Sequence, residues 1–281
     1  MAESASDRDQ PIGVFDSGVG GLTVLDALAE QLPGESFIYL GDTARLPYGS
    51  KSPQTVSRYA RQAASKLVAR GVKLVVIACN TASAVAVGEL AAEFAPLPVI
   101  GVVEPGAEAA CAATETGHVL VTGTEGTVAG GAYTRAILAR RPELRVDAVA
   151  CPMFVALAEE GWTDGPIAEA VVRRYLELEL AGPERTRVDT LVLGCTHFPV
   201  LRDVLARVCG PEVTLVDSAR TTALAVAAAL ERLDLARRGP TKARAARVEF
   251  LATDAPERFA RVGAVFLGHT IALGAVELVD L

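Results

Sequence analysis

The sequence predicts an α/β protein built of mainly parallel β-sheets, with the strands buried between layers of helices. Short runs of Val, Ile and Leu alternate with helix-length segments through most of the 281 residues. The runs are nearly continuous in apolar residues, as strands buried on both faces are. Such alternation favours parallel pairing through right-handed crossovers. Hydrophobic residues make up 51% of the chain and aromatic residues only 5%, so aliphatic side chains suffice to fill the core.

The predicted strands locate the candidate site, because in open parallel sheets ligands bind at the carboxyl ends of the strands. In chain order they are 12–16, 36–40, 73–79, 98–103, 117–123, 145–150, 188–195, 213–217 and 247–252. The clearest helical segments between them are 54–70, 81–94, 105–115, 166–181 and 219–233. Polar residues that directly follow a strand are therefore the candidates for chemistry.

Composition excludes several classes of protein. The 34 acidic and 27 basic residues give a net charge of −7, and no Lys/Arg run suggests nucleic acid as a partner. No segment has the length of a membrane span or the pattern of a signal peptide. The five cysteines are widely spaced without a CxxC pair, which fits neither a disulfide framework nor a structural zinc site. We expect a soluble protein of a reducing cytoplasm.

A weak internal repeat favours two related halves. The segments 12–21 and 119–131 both read as a strand, a loop of small residues and a helix start. The segments 74–83 and 191–199 both read as a buried strand that ends in Cys and is followed by Thr. Chance matching of common strand patterns would explain the strands alone. The paired Cys and Thr endings favour duplication, so we predict two pseudo-symmetric domains that face each other across a cleft.

Cys79 and Cys195 are the candidate reactive thiols. Each ends a predicted strand before a helix start, where free backbone N–H groups and the helix dipole favour a thiolate. Most buried cysteines act only as small hydrophobic residues. We interpret Cys111, Cys209 and, less clearly, Cys151 in that way.

Two further polar residues follow strands in the same pattern. His197 lies two residues after Cys195, close enough to tune its charge or relay its proton, although a helix-capping role is the alternative. Asp16 either caps a turn or serves in catalysis or binding of an amino group. The glycines that follow, at 18, 20 and 21, lack the spacing of a nucleotide-binding loop, so a nucleotide site is not predicted.

Several segments together resemble the glutamate racemase branch of the aspartate/glutamate racemase superfamily. They are FDSGVGGLTVL (15–25), GDTARLPYG (41–49), VIACNTA (76–82), TGTEGT (122–127), LVLGCTHFPVL (191–201) and LVDSA (215–219). The resemblance runs in family order from about Pro11 to Gly268 and includes a C-terminal FLATDAPERF…FLG segment. The Cys-Thr-His ending at 195–197 is typical of the glutamate branch.

The resemblance implies inversion of glutamate at Cα by two thiols, without pyridoxal phosphate, metal or any other cofactor. Cys79 would act on D-glutamate with help from Asp16, and Cys195 on L-glutamate with help from His197 and Glu159. The neighbouring Glu160 is the alternative to Glu159. The substrate would be held by Asp16, Ser17, Tyr48, Gly49, Asn80, Thr81, Thr124, Thr127, Thr196 and His197.

The resemblance also sets expectations for the whole protein. It implies residues 11–103 with 218–281 as one domain, 104–217 as the second, and 1–10 as a flexible tail. It further implies a cytoplasmic homodimer that supplies D-glutamate for peptidoglycan, and hence for cell-wall biogenesis and cell shape. Two alternatives stay open: a two-thiol enzyme for another small acid or a hydantoin ring, and a ligand-binding protein without catalysis.

Overall fold

Two parallel β-sheets, each with helices on both faces, form the protein. The computed structural model describes residues 7–181, 187–238 and 247–281. The strands are β1 (Ile12–Asp16), β2 (Ser36–Gly41), β3 (Leu74–Ile77), β4 (Val99–Gly101), β5 (His118–Gly123), β6 (Arg145–Ala150), β7 (Thr190–Gly194), β8 (Thr214–Asp217), β9 (Arg247–Ala252) and β10 (Val276–Leu278).

Helices connect most successive strands. They are α1 (Leu22–Gln31), α2 (Pro53–Ala69), α3 (Asn80–Glu93), α4 (Val103–Ala113), α5 (Glu125–Gly130), α6 (Ala132–Arg140), α7 (Pro152–Glu159), α8 (Gly165–Leu180), α9 (Arg202–Cys209), α10 (Ser218–Arg232) and α11 (Pro256–Leu267). Local chemistry fixes several starts: the Ser52 hydroxyl accepts from the Thr55 N–H before α2, and the Asp217 carboxylate accepts from the Arg220 N–H before α10.

The order of the strands shows how the chain visits the two sheets. The first sheet runs β10-β9-β2-β1-β3-β4 and the second runs β6-β5-β7-β8, with parallel pairing throughout. The chain leaves the first sheet after β4, builds the second, and returns to the first with β9. Residues at the carboxyl ends of β1 and β3, in the first sheet, and of β7, in the second, therefore contribute to one site.

The pleat of the strands separates two buried layers on each sheet. In the first sheet, Val14 and Tyr39 face the layer that α1, α10 and α11 cover, whereas Phe15 and Leu40 face the layer under α2 and α3. In the second sheet, alternate residues divide in the same way between two clusters. Both faces of each sheet are thus apolar, which is why the strand sequences are nearly continuous in aliphatic residues.

The structure confirms the predicted fold class, and each of the nine predicted strands has a counterpart. The strand predicted at 73–79 ends earlier, at Ile77, so that Cys79 caps α3 instead of ending the strand. β10 was not predicted, because three residues at a sheet edge with two exposed side chains carry no strand pattern.

Residues 7–10 belong to the segment 1–10 that was predicted as a tail. Asp7–Asp9 form a 3₁₀ turn, because the Lys73 ammonium donates to the Arg8 carbonyl at 2.7 Å and the Arg237 guanidinium to the Asp9 carbonyl at 2.7 Å. Residues 1–6 lie outside the described residues. Within the described ranges, no helix combines the length and apolar content that crossing a bilayer requires.

Candidate active site

The carboxyl ends of the two sheets meet at a buried group of polar side chains. Asp16 is the last residue of β1, Cys79 follows β3 by two residues, and Cys195 directly follows β7. Their side chains are 1%, 5% and 5% exposed, so the group is closed to solvent. The thiols are near enough for the charge of Cys195 to raise the pKa of Cys79. The structure therefore brings together three candidate residues that were predicted from their positions at strand ends.

The first thiol, Cys79, lies against the loop that follows β1. Its Sγ donates to the Ser17 hydroxyl at 3.6 Å. The Asp16 carboxylate accepts from the Gly18 N–H at 2.9 Å through Oδ2, while its buried Oδ1 has no hydrogen-bond partner among the described residues. Burial raises the pKa of Asp16 in spite of the opposing effects of His197 and the loop N–H groups. An unpaired acceptor oxygen is thus present in the site.

The helix start favours the Cys79 thiolate, as expected, but other effects outweigh it in the protein at rest. Burial, together with the Asp16 carboxylate, raises the pKa of the Cys79 thiol to about 12. The backbone N–H of Ala82, in the first turn of α3, acts in the opposite direction but is the weaker effect. Cys79 therefore holds its proton at neutral pH.

The second thiol, Cys195, begins a chain of polar contacts. Its Sγ lies 3.8 Å from Nδ1 of His197, and Nε2 of His197 lies 3.2 Å from Oε1 of Glu159. Burial opposes a charge on His197, but the contacts with Cys195 and Glu159 raise its pKa to about 10. The contact with His197 lowers the pKa of Glu159 to about 2, against its burial and with help from Arg258. The imidazole is therefore cationic beside Cys195.

The structure distinguishes the two candidate glutamates by position. Glu159 is the last residue of α7 and contacts His197, whereas Glu160 caps the helix and is exposed to solvent. Cys195 itself is followed by a 3₁₀ turn, Phe198–Leu201, and α9 begins only at Arg202. The predicted helix start after Cys195 is therefore a 3₁₀ turn.

Three threonine hydroxyls form a triangle between the two sheets. Oγ1 of Thr81, at the start of α3, lies 3.0 Å from that of Thr124 and 3.2 Å from that of Thr127. The Thr124 and Thr127 hydroxyls are 3.0 Å apart, and Thr124 caps α5. Each hydroxyl has a single proton that rotates about its C–O bond, so a hydroxyl of the triangle can turn its donor from a neighbour to an anionic group.

Asn80 is held by partners that the sequence did not indicate. Its Oδ1 accepts from the Tyr133 hydroxyl at 2.7 Å, and its Nδ2 donates to the Ser218 hydroxyl at 3.5 Å. Tyr133 lies on α6 and Ser218 begins α10. One N–H of the Asn80 amide is left beyond these two contacts as a donor for a substrate.

Tyr48 is oriented by a buried carboxylate. Its hydroxyl donates to Asp42, which also accepts from Nε of Arg45 at 2.7 Å and from the Thr253 hydroxyl at 3.0 Å. The next residue, Gly49, packs so closely on the second sheet's loop that a Cβ there would lie 2.7 Å from Cβ of Thr124. The hydroxyl of Tyr48 is thus committed to Asp42, and the backbone at 48–49 is what faces Thr124.

Gly20, in the loop after Asp16, allows close contact between the two halves. A Cβ on Gly20 would lie 2.3 Å from Nδ1 of His197 and 2.7 Å from Oγ1 of Thr196. Beside them, the Thr23 hydroxyl is 2.9 Å from the Thr196 carbonyl. This loop therefore receives the His197 ring. In the part of the chain that the structure describes, no three His, Cys, Asp or Glu side chains are grouped to hold a metal ion.

The comparisons with known proteins agree with one another. Residues 12–228 match the family model described as Asp/Glu/Hydantoin racemase. A glutamate racemase from Geobacter metallireducens is 52% identical over 270 residues, which is 96% of each chain. The crystal structure of glutamate racemase from Francisella tularensis in complex with D-glutamate has a TM-score of 0.86 at 34% identity, with 97% of this chain and 98% of that chain covered. A glutamate racemase isoform from Bacillus anthracis has a TM-score of 0.89 at 34% identity, with 98% of each chain covered.

Proposed function

Because this chain belongs to the Asp/Glu/hydantoin racemase family, we propose that its two thiols interconvert L-glutamate and D-glutamate. Membership makes it an amino-acid racemase, an enzyme of the isomerase class. The observation that carries the proposal is the pair Cys79 and Cys195, which come from different sheets to one buried site. Asp16 lies beside Cys79, and His197, held by Glu159, lies beside Cys195. Inversion at a carbon needs a base on one face and an acid on the other.

The protonation states fit one direction of the reaction as the protein stands. Cys79 holds its proton, and the cationic imidazole of His197 lies 3.8 Å from the sulfur of Cys195. Cys195 then takes the Cα proton of L-glutamate, and in a second step Cys79 delivers its proton to the opposite face of the carbanion, which gives D-glutamate. The reverse reaction starts from the opposite assignment of the two protons. Asp16 assists Cys79, and His197 with Glu159 assists Cys195.

The substrate is held by hydrogen-bonding groups that the site already presents. The orphan Oδ1 of Asp16 is an acceptor for the ammonium group, and the hydroxyls of Thr81, Thr124 and Thr127 are donors for a carboxylate. The remaining groups that we propose for binding are Ser17, the backbone of Tyr48 and Gly49, the amide of Asn80, Thr196 and His197. Fixed donors in a dry site stabilise the charge that develops when Cα loses its proton.

The wider role follows from the product. We place the enzyme in the cytoplasm as a homodimer that supplies D-glutamate for peptidoglycan, and hence for cell-wall biogenesis and cell shape. The reaction runs on the chain's own thiols without a cofactor. The two sheets are the centres of two domains, 11–103 with 218–281 and 104–217, and the substrate lies in the cleft between them.

The test is incubation of the purified protein with L-glutamate in D2O without added cofactor. We expect D-glutamate that carries deuterium at Cα. Cys79→Ser and Cys195→Ser should each lower the racemisation rate by at least about a hundredfold, because a serine hydroxyl is a far weaker base than a thiolate. Cys209→Ser, outside the site at the end of α9, is the matched control and should keep wild-type activity.

Two results would contradict the proposal. One is a folded wild-type protein that leaves L-glutamate unchanged but inverts aspartate or a hydantoin. The other is a wild-type rate of inversion in either single-thiol variant, since the reaction would then not use both thiols.

A further inference from the structure

The helix α11 supplies none of the catalytic or binding residues proposed above, yet two of its side chains contact the Cys195 side of the site. Nη2 of Arg258 lies 2.7 Å from Oε2 of Glu159. The ring of Phe266 meets the His197 ring edge to face, with centroids 5.1 Å apart and planes at 78°. α11 lies between β9 and β10 in the chain and thus belongs to the first sheet, whereas His197 follows a strand of the second.

Apolar side chains pack α7 against α11 at this point. Ala158, the residue before Glu159 on α7, is fully buried in the first sheet's core cluster, which also contains Ala260 and Phe266 of α11. The apolar packing of Ala158 therefore places Glu159 next to α11. The two oxygens of its carboxylate have different partners: Oε1 contacts His197 and Oε2 contacts Arg258. A carboxylate engaged through both oxygens cannot rotate away from the imidazole without losing an ion pair.

We propose that Arg258 is a positioning residue for the proton transfer of Cys195, reaching from the first sheet to fix Glu159 against His197. The inference rests on the proposed racemase function. Arg258 belongs to the FLATDAPERF…FLG segment, which would thus assist Cys195 and not Cys79. Cys79 has separate partners, Ser17 and Asp16, on the other side of the site.

The two enantiomers have equal free energies, so the equilibrium constant is one. A variant must then lose kcat/KM equally in both directions, whichever thiol it impairs. The impaired thiol is revealed by the Cα deuterium isotope effect on kcat/KM. When transfer at Cys195 becomes slower, the effect with [2-²H]-L-glutamate rises, because that thiol removes the labelled proton. The effect with [2-²H]-D-glutamate falls, because Cys79 removes the label in a step that is no longer limiting.

The experiment compares Arg258→Gln with Arg261→Gln, an exposed arginine one turn along the same helix. We expect Arg258→Gln to lower kcat/KM about tenfold in both directions, a modest loss because Arg258 is 43% exposed and water competes for the ion pair. The isotope effect should rise for L-glutamate and fall for D-glutamate. Arg258→Lys should restore part of the rate, and Arg261→Gln should match the wild type.

A double-mutant cycle with Glu159→Gln tests whether Arg258 acts through Glu159. In the Glu159→Gln background, adding Arg258→Gln should cost less than about twofold, since the partner is already neutral. Additive losses, or isotope effects that do not move, would overturn the inference and leave the racemase function intact. A wild-type protein without racemisation would overturn the proposed function itself, and the inference with it.

Discussion

At the scale of single residues, the Cys79 thiol shows two opposing electrostatic effects. The first turn of α3 offers it a backbone N–H, which favours the thiolate. Burial removes the water that would solvate the thiolate, and the Asp16 carboxylate repels it, so the pKa rises to about 12. The wide gap between this value and neutral pH keeps the proton in place until a substrate arrives.

His197 is the residue whose charge we expect to be most unusual. Its imidazole should titrate near pH 10, and Glu159→Gln should lower that pKa toward 6.5, because one of the contacts that favours the cation is lost. NMR titration of the ring protons measures both values, and the chain has only three histidines to assign. Glu160→Gln is the control and should leave the titration unchanged. A wild-type pKa near 6.5 would contradict the proposed imidazolium.

The contact between His197 and Glu159 stabilises the fold over a pH range that the pKa values of these two residues set. The pKa of His197 is raised on folding, so its contribution is complete below about pH 6.5 and is lost as the pH rises through 10. The pKa of Glu159 is lowered, so its contribution is complete above about pH 4.5 and is lost as the pH falls toward 2. Urea unfolding of wild type and Glu159→Gln should therefore differ most between pH 5 and 6.

At the scale of elements, the loop from Asp16 to α1 needs a glycine at position 20 because residues from the other sheet pack against it. Gly20 leaves room for the His197 ring and for the Thr196 hydroxyl. Thr23, in the first turn of α1, adds a hydrogen bond to the Thr196 carbonyl. The loop therefore sets the distance between the Asp16 side and the Cys195 side of the site.

Gly20→Ala should lower kcat/KM by about a hundredfold, since a displacement near 1 Å at reacting groups has an effect of that size. The matched control is Gly88→Ala on α3, where a Cβ would meet no atom within 4 Å. That variant should keep full activity and gain about 0.5–1 kcal/mol of stability, because alanine is the better helix former. Steady-state kinetics and urea unfolding measure the two effects. Wild-type activity in Gly20→Ala would show that the contact is not needed.

Strand-end residues were the part of the site that the sequence could predict. Asp16, Cys79 and Cys195 follow apolar strands, and parallel pairing requires that such ends cluster. Glu159 lies at the end of a helix, so only the resemblance indicated it. Arg258 and Tyr133 could not be predicted as site residues from local patterns. Each contacts a residue of the other sheet, and the periodicity of a short segment does not reveal such packing.

At the scale of the whole molecule, a buried ion pair joins distant parts of the chain far from the thiols. The Lys73 ammonium, before β3, lies 2.6 Å from Glu35 and donates to the carbonyls of Arg8 and Leu235. The Lys73 and Glu35 side chains are 1% and 4% exposed. A single ammonium thus holds the N-terminal turn, the start of β2 and the segment after α10.

Lys73→Met should lower the free energy of unfolding by about 3–5 kcal/mol, because it leaves the Glu35 carboxylate buried without its cation. Arg173→Met, which removes an exposed i,i+4 pair with Glu169 on α8, should cost only about 0.3–0.5 kcal/mol. Urea denaturation at neutral pH compares the two. Equal losses would mean that burial of the Lys73 pair does not strengthen it.

The origin of the two thiols in different sheets of one chain has a genetic consequence. Under the proposed function, every site takes Cys79 and Cys195 from the same polypeptide. A cell that carries one allele with Cys79→Ser and another with Cys195→Ser then makes no site with both thiols, however its subunits pair. The two alleles fall into a single complementation group, and the double heterozygote needs D-glutamate as much as either single mutant does.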